Sequence, residues 1–263
     1  MRKVSLLIFL LSILFFEHAA GAFEERYDYL FHPSTGVYGF HPIDLFGKNI
    51  LILSSTGSRL YSLSECNLAH ASSYLSVSFM RIGMDVSYFG SGLYNENEFG
   101  ISFLVGTHHL LGVKLKGMRM SIKDYGSRFF GGTDLLFCGR MDPFYSQSIY
   151  RNVLSYGYRS EEEKPTSSFS SLLKIYPDQW LSVNGRVVYS ELTGTRFEIG
   201  NGIQISEKLS LGSGFNFTTR SISSLLSFSL PFSDLSYGIS LHPQLGLTHS
   251  VGIVYVKRKK LEK

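Results

Sequence analysis

FEIGNGIQISEKLSLGSGFNF, running from Phe197 to Phe217, decides the fold. Phe197, Ile199, Ile203 and Ile205 share one parity, and Leu209, Leu211, Phe215 and Phe217 repeat it. The rhythm continues through Leu226, Phe228, Leu230 and Phe232, then Leu235, Tyr237, Ile239 and Leu241, then Leu247, Val251, Ile253 and Tyr255. The alternate positions are mostly Ser, Gly, Asn, Gln and Thr. A period of two sends successive side chains to opposite faces of a strand. One apolar and one small polar face, repeated in segments of roughly ten residues, is the pattern of a transmembrane β-barrel. A soluble sandwich also alternates, but here the polar parity is serine and glycine rather than lysine and glutamate, as an enclosed interior requires. The hairpins also follow one another without the long connections of a Greek key.

Working toward the N-terminus, the same reading continues. Leu75, Val77 and Phe79 set one parity and Ile82, Met84, Val86 and Tyr88 the other, so a turn or bulge is expected near Met80-Arg81. Phe99, Ile101, Phe103 and Val105 follow the polar stretch Asn95 to Glu98, read as a loop. Leu111, Val113 and Leu115 give way to Met118, Met120 and Ile122, a slip at Gly117 that predicts a bulge inside one long strand. Phe129 to Cys138 is a weaker strand, loosened by Gly131-Gly132, and residues 161–165 are read as an exposed loop. Short strands are expected at Leu51 to Leu53 and Arg59 to Leu63, with a helical turn between Ser64 and Ser72. The expected fold is all-β: a single transmembrane antiparallel β-barrel over residues 49–256, with an even count of roughly 12–14 strands. Residues 23–48 are an irregular periplasmic lead, a small plug or a plain loop, and 257–263 form a basic tail.

The chain opens like a secretory leader. Arg2 and Lys3 precede an apolar run from Leu6 to Phe16, and Ala20-Gly-Ala22 is a small-x-small cleavage site, so residues 1–22 are read as a cleaved signal peptide. The alternative is an uncleaved anchor, for which the run is short, since a spanning helix needs about 20 residues. Mean hydropathy is only +0.06, as expected where alternate residues face lipid. The 21 Phe and 16 Tyr against a single Trp suit aromatic girdles. Of the formal charge of +4, the leader carries +1 and the tail +4, leaving −1 for the rest. That balance argues against a nucleic-acid partner. Cys66 and Cys138 are available to pair in an oxidising compartment, but no zinc spacing surrounds them.

The stretch LSYGISLHPQLGLTHSVGIVY (Leu235–Tyr255) resembles the closing hairpin of PorV/PorQ-type bacterial outer-membrane proteins, themselves similar to FadL-like fatty-acid transporters. DVSYFGSGLYNENEFG (Asp85–Gly100) is similar to their early strands. The resemblance implies an outer-membrane barrel that either passes hydrophobic molecules or anchors an export system. This chain departs from the pattern in its short N-terminal segment and in ending on a basic rather than an aromatic residue.

Little chemistry is legible. His108-His109 cannot hold one metal from a regular strand, because neighbours face opposite ways. LGSGF (Leu211–Phe215) is not a nucleophile elbow, and no serine–histidine set stands out, so no catalysis, cofactor or metal is expected. Charges on strands should point inward, since Lys or Arg facing lipid at the midplane costs roughly 2–4 kcal/mol. Arg81, Asp85, Lys114, Lys116, Arg119, Arg186 and Glu198 are therefore the expected lumen-lining residues, either along a pore or as a polar plug of ion pairs, the more frequent outcome in a narrow barrel and one that would favour a scaffold. His242 and His249 bracket a Pro-containing turn, either as a hydrogen-bonded clasp at the rim or as turn geometry alone. The function expected is a passive outer-membrane channel or transporter for small or hydrophobic molecules, in contact with outer-membrane lipid. The alternative is a scaffold holding an envelope-protein partner.

Overall fold

The computed structural model describes residues 50–63, 67–158, 166–191 and 194–258. Fourteen antiparallel strands close into one barrel, each pairing with its neighbours in sequence and β1 with β14. They are β1 (Ile50–Arg59), β2 (Asn67–Val77), β3 (Met80–Gly90), β4 (Tyr94–Gly106), β5 (His109–Ile122), β6 (Gly126–Met141) and β7 (Phe144–Tyr156). The second half comprises β8 (Ser168–Asp178), β9 (Leu181–Ser190), β10 (Gly194–Ser206), β11 (Leu209–Asn216), β12 (Ser221–Ser229), β13 (Ser233–His242) and β14 (Gly246–Arg258). Closure gives every strand two partners, so no backbone edge is left for lipid to solvate.

The alternation reads out directly as inside and outside. Phe197, Ile199, Leu211, Phe228, Tyr237 and Val251 are exposed on the outer wall, while Arg196, Asn216, Ser223, Ser240 and Ser250 are buried on the inner one. Exposed phenylalanines and leucines around the whole circumference are what a lipid-facing belt needs, and are unfavourable in water. The two ends differ. At the end where Ile50 pairs with Arg258, five of the six turns have two residues, at 78–79, 107–108, 142–143, 179–180 and 207–208. The opposite end, here the loop end, carries the longer connections, including 157–167. Short turns on the periplasmic side and longer loops outside are the usual arrangement of such barrels.

Several local expectations are corrected. The change of parity near Met80 is a hairpin turn at Ser78-Phe79, with Val77 opposite Met80. No bulge occurs at Gly117: β5 stays in register with both neighbours from Leu110 to Ile122. Register shifts lie elsewhere, near the turn end at Gln204/Ser206 and Ile175/Asp178, and on β7, where the register with β6 shifts between Thr133 and Leu135 and Asn152 takes a left-handed conformation (φ 54°). Residues 67–72 belong to β2 rather than to a helical turn, with 64–66 outside the described residues, and a 3-10 turn at Leu60–Ser62 stands where a short strand from Arg59 to Leu63 is expected. Asn95 to Glu98 is strand, not loop, and Gly126–Met141, read as weak, is the longest strand at 16 residues. Cys138 is a buried free thiol, so the pairing with Cys66 is not made. Cys66 itself, the expected leader, residues 23–48, the loop at 161–165 and most of the tail lie outside the described residues.

Candidate functional site in the barrel lumen

The inner wall of β3 to β6 carries a band of charge. Lys114 on β5 reaches over β4 to Asp85 on β3, with Nζ 2.8 Å from Oδ2, and also lies 2.8 Å from Glu98 Oε1 on β4. Its path is open because β4 has glycine between them. A Cβ on Gly100 would fall on Lys114 Cε and stand 2.8 Å from Asp85 Oδ1. One strand further, Lys116 Nζ is 2.7 Å from Asp134 Oδ1, and both side chains are about 95% withdrawn from solvent (4% and 6% exposed). Gly132 makes room here, since a Cβ would lie 2.9 Å from Lys116 Cε. The β7 irregularity completes the arrangement: Asn152 N donates to Asp134 Oδ1 at 2.9 Å. A bulge that turns a backbone N–H toward an inward carboxylate is a recognised way to re-aim a strand. Buried charges persist only when paired and hydrogen-bonded, and each of these is.

A second ion pair stands on β9 and β10. Arg186 and Glu198 face one another in register, with Nη1 3.5 Å from Oε2, and Asn216 Nδ2 donates to Glu198 Oε1 at 2.9 Å. Arg81 sits nearer the turn end, where Nη1 donates to Gly106 O (2.8 Å) and Ser78 O (3.3 Å) and so ties two turns together. Below the charged band is a small apolar cluster of Leu104, Leu110 and Cys138, packed by Tyr74 and Leu136.

Six of the seven residues expected inside are therefore inside: Arg81, Asp85, Lys114, Lys116, Arg186 and Glu198. Arg119 is not. Because β5 runs through Gly117 unbroken, Arg119 keeps the outward parity of Leu111, Val113 and Leu115, and its guanidinium lies 5.6 Å from the centre of the outward Phe129 ring. It is three residues from the loop-end terminus of β5, beyond the apolar belt, where a lipid-facing cation costs only about 0–1 kcal/mol.

The rim clasp is also corrected. His242 is buried on the inner face, and its Nδ1 accepts from the backbone N–H groups of Gln244 and Leu245, each at 3.2 Å. His249 lies on the outer face, with Nδ1 2.7 Å from Tyr237 Oη. The turn at 243–245 pairs His242 with Gly246, so His249, three residues further, has the opposite parity. His242 serves turn geometry, as the other reading had it.

Sequence reasoning missed Glu98 and Asp134. Glu98 was hidden in a supposed loop, and Asp134 in a strand discounted for its glycines; the parity each shares with Ser102 and Cys138 was the available signal. Lys174 on β8, buried with Nζ 5.1 Å from the Tyr176 ring centre, was likewise passed over. Among the described residues, no group of His, Cys, Asp and Glu is placed to hold a metal.

The opposite arc of the wall is of another kind. From β11 through β14 to β1 its inward positions include Gly212, Gly214, Ser221, Ser223, Ser240, Thr248, Ser250, Ser54 and Thr56. Ser54 and Ser72 share a 2.6 Å hydrogen bond, and Ser58 donates to Ser250 Oγ at 2.9 Å across the seam. Several wall atoms are buried without a protein partner: Thr56 Oγ1, His70 Nδ1 and both amide atoms of Asn184.

No protein-family profile matches the chain, and no curated protein matches it. Solved structures do share the fold. The CymD monoaromatic hydrocarbon channel superposes with a TM-score of 0.55 at 10% identity, covering 84% of this chain and 92% of that one. The Pseudomonas putida toluene transporter TodX gives 0.53 at 9% identity over 84% and 93% of the two chains. The outer-membrane protein Omp33 of Acinetobacter baumannii gives 0.53 at 7% identity over 79% and 98%. At these identities the likeness is one of fold. It agrees with the outer-membrane barrel implied by the resemblance read from the sequence, while none of the comparisons names the PorV type. The chain has the architecture of an outer-membrane β-barrel.

Proposed function

We propose that this protein is a passive, non-enzymatic channel of the bacterial outer membrane for small or hydrophobic molecules. One observation carries the reading. The polar parity of a closed 14-strand sheet is turned mainly inward, and one arc of it is rich in glycine and small hydroxyl residues, with Ile52, Leu225 and Val254 among them. A soluble core would place the apolar parity there. Eight strands enclose just enough space for side chains to fill, and 16–18 leave an aqueous channel; with 14 strands, the pore depends on how far the wall residues project. Serine and glycine project least. The hydrocarbon channels sharing the fold support a small apolar solute as substrate, in line with the FadL-like resemblance.

The test is reconstitution of the folded barrel in planar bilayers and in solute-loaded vesicles. Discrete conductance steps, or efflux of small neutral solutes above that of empty vesicles, are expected. A fully inserted barrel that shows neither would overturn the channel reading and leave the scaffold as the function.

A further inference from the structure

Near the turn end the outer wall shows Leu75, Val77, Phe103, Val105, Phe137, Phe228, Leu235 and Ile253, all exposed. Near the loop end it carries cations. Arg59, the last residue of β1, has outward parity with Leu53 and Ser55, is exposed, and has no side-chain partner among the described residues. Directly opposite it on β14 is His249. One step along, Tyr237 and Val251 are paired, and on the other side Ala69 lies between Gly57 and Tyr88. A row of Arg59 and His249 thus stands immediately above two outward tyrosines, Tyr88 and Tyr237. Arg119 lies on the same loop-end half of the wall, over Phe129. Among the described residues, no outward strand position between the two rims holds a carboxylate.

Tyrosines at one level with cations just beyond them form an interfacial anchor, where rings sit at headgroup depth and the charge meets phosphate. The Tyr237 hydroxyl beside His249 Nδ1 orients the imidazole; when the hydroxyl donates, Nε2 keeps its hydrogen and remains a donor. Guanidinium and imidazole on adjacent strands, directly opposed, are within one phosphate's reach. Closure of the barrel at the β1–β14 seam is what creates the pair. We infer that the Arg59–His249 row is a docking site for the phosphate of an anionic glycolipid in the leaflet at the loop end. The site rests on the membrane placement proposed above but not on conduction.

The folded barrel in detergent is titrated with lipid A, which carries phosphates, and with the same lipid after enzymatic dephosphorylation, and retained lipid is counted by native mass spectrometry. Charge-assisted hydrogen bonds of roughly 1.5–3 kcal/mol correspond to about tenfold or more in affinity. Wild type is expected to bind lipid A at least about tenfold more tightly than the dephosphorylated form. The Arg59→Gln/His249→Gln variant is expected to lose that preference. Both positions are on the outer surface, and heat-modifiable gel migration checks that the variant folds; Arg59→Gln alone, which breaks no hydrogen bond, serves where the pair does not. Equal retention of the two lipids by wild type, or an undiminished preference in folded variants, overturns the site. Flotation with phosphatidylcholine vesicles tests the membrane placement separately: a barrel that floats but ignores phosphate refutes only this inference.

Discussion

The arc of inner wall from β3 to β6 and the arc from β11 through β14 to β1 face the same lumen with opposite chemistry. The first is crowded with long charged side chains locked into pairs, Lys114 with Asp85 and Glu98, and Lys116 with Asp134. The second is rich in glycine and small hydroxyls, with buried Ile52, Leu225 and Val254 among them and hydrogen bonds such as Ser54–Ser72 and Ser58–Ser250. The two arcs hold their polar groups by different means. Charges must be fixed by partners, and fixing them makes that arc rigid and bulky. Serines satisfy one another locally and leave the lumen its width. The comparison teaches that one barrel wall can satisfy its inward polar face in two ways, with paired charges on one side and small hydroxyls on the other.

The charged arc should be the more fragile when a partner is removed. Lys114→Met leaves Asp85 and Glu98 facing each other without their shared cation, and breaking a buried pair in this way costs about 3–5 kcal/mol. Equilibrium urea unfolding of the barrel in detergent measures it; a loss under about 1 kcal/mol, the range of surface pairs, would show the network to be ordinary solvated charge. Gly100→Ala comes next. Its methyl competes with Lys114 Cε and Asp85 for the same space, and overpacking of this kind costs about 1–3 kcal/mol. A double-mutant cycle with Lys114→Ala should then show strong non-additivity, because the contact with Cε disappears with the lysine side chain.

On the small-residue arc the same experiments should return less. Ser54→Ala removes the 2.6 Å bond to Ser72, for a loss of about 1 kcal/mol. Ser236→Ala breaks a half-buried 3.3 Å contact to Gly252 O and should change the unfolding free energy by no more than about 0.5 kcal/mol. In the bilayer assay the order should reverse: Ser240→Phe, projecting a ring from the small-residue arc, is expected to lower conductance more than Lys114→Met does. Equal effects from both sides would dissolve the division between the two arcs.

Much of this was legible in the sequence, and the misses are informative. Parity sent Phe197 and Ile199 outward and Arg186 and Glu198 inward without any tertiary information, because a pleated strand has only two faces. The same rule misleads at Arg119, because apolar Met118 and Met120 suggest a lipid-facing parity that only a bulge at Gly117 could give them, and β5 has none. They lie instead on the inner face, near the rim, where the lumen tolerates methionine and the headgroup region tolerates arginine. Glu98 and Asp134 were missed because loop-like and glycine-rich composition was given more weight than their parity. The glycines were in fact room for the lysines.

What the chain determined by itself is the side of the wall each residue occupies, since that depends on a two-residue period within one strand. Which residues then meet was decided only by pairing and closure. Lys114 finds Asp85 because β4 lies between their strands with a glycine at the crossing. Arg59 stands opposite His249 because the first strand must close on the last. Register and closure join positions far apart in the chain, and a local repeat carries no information about them.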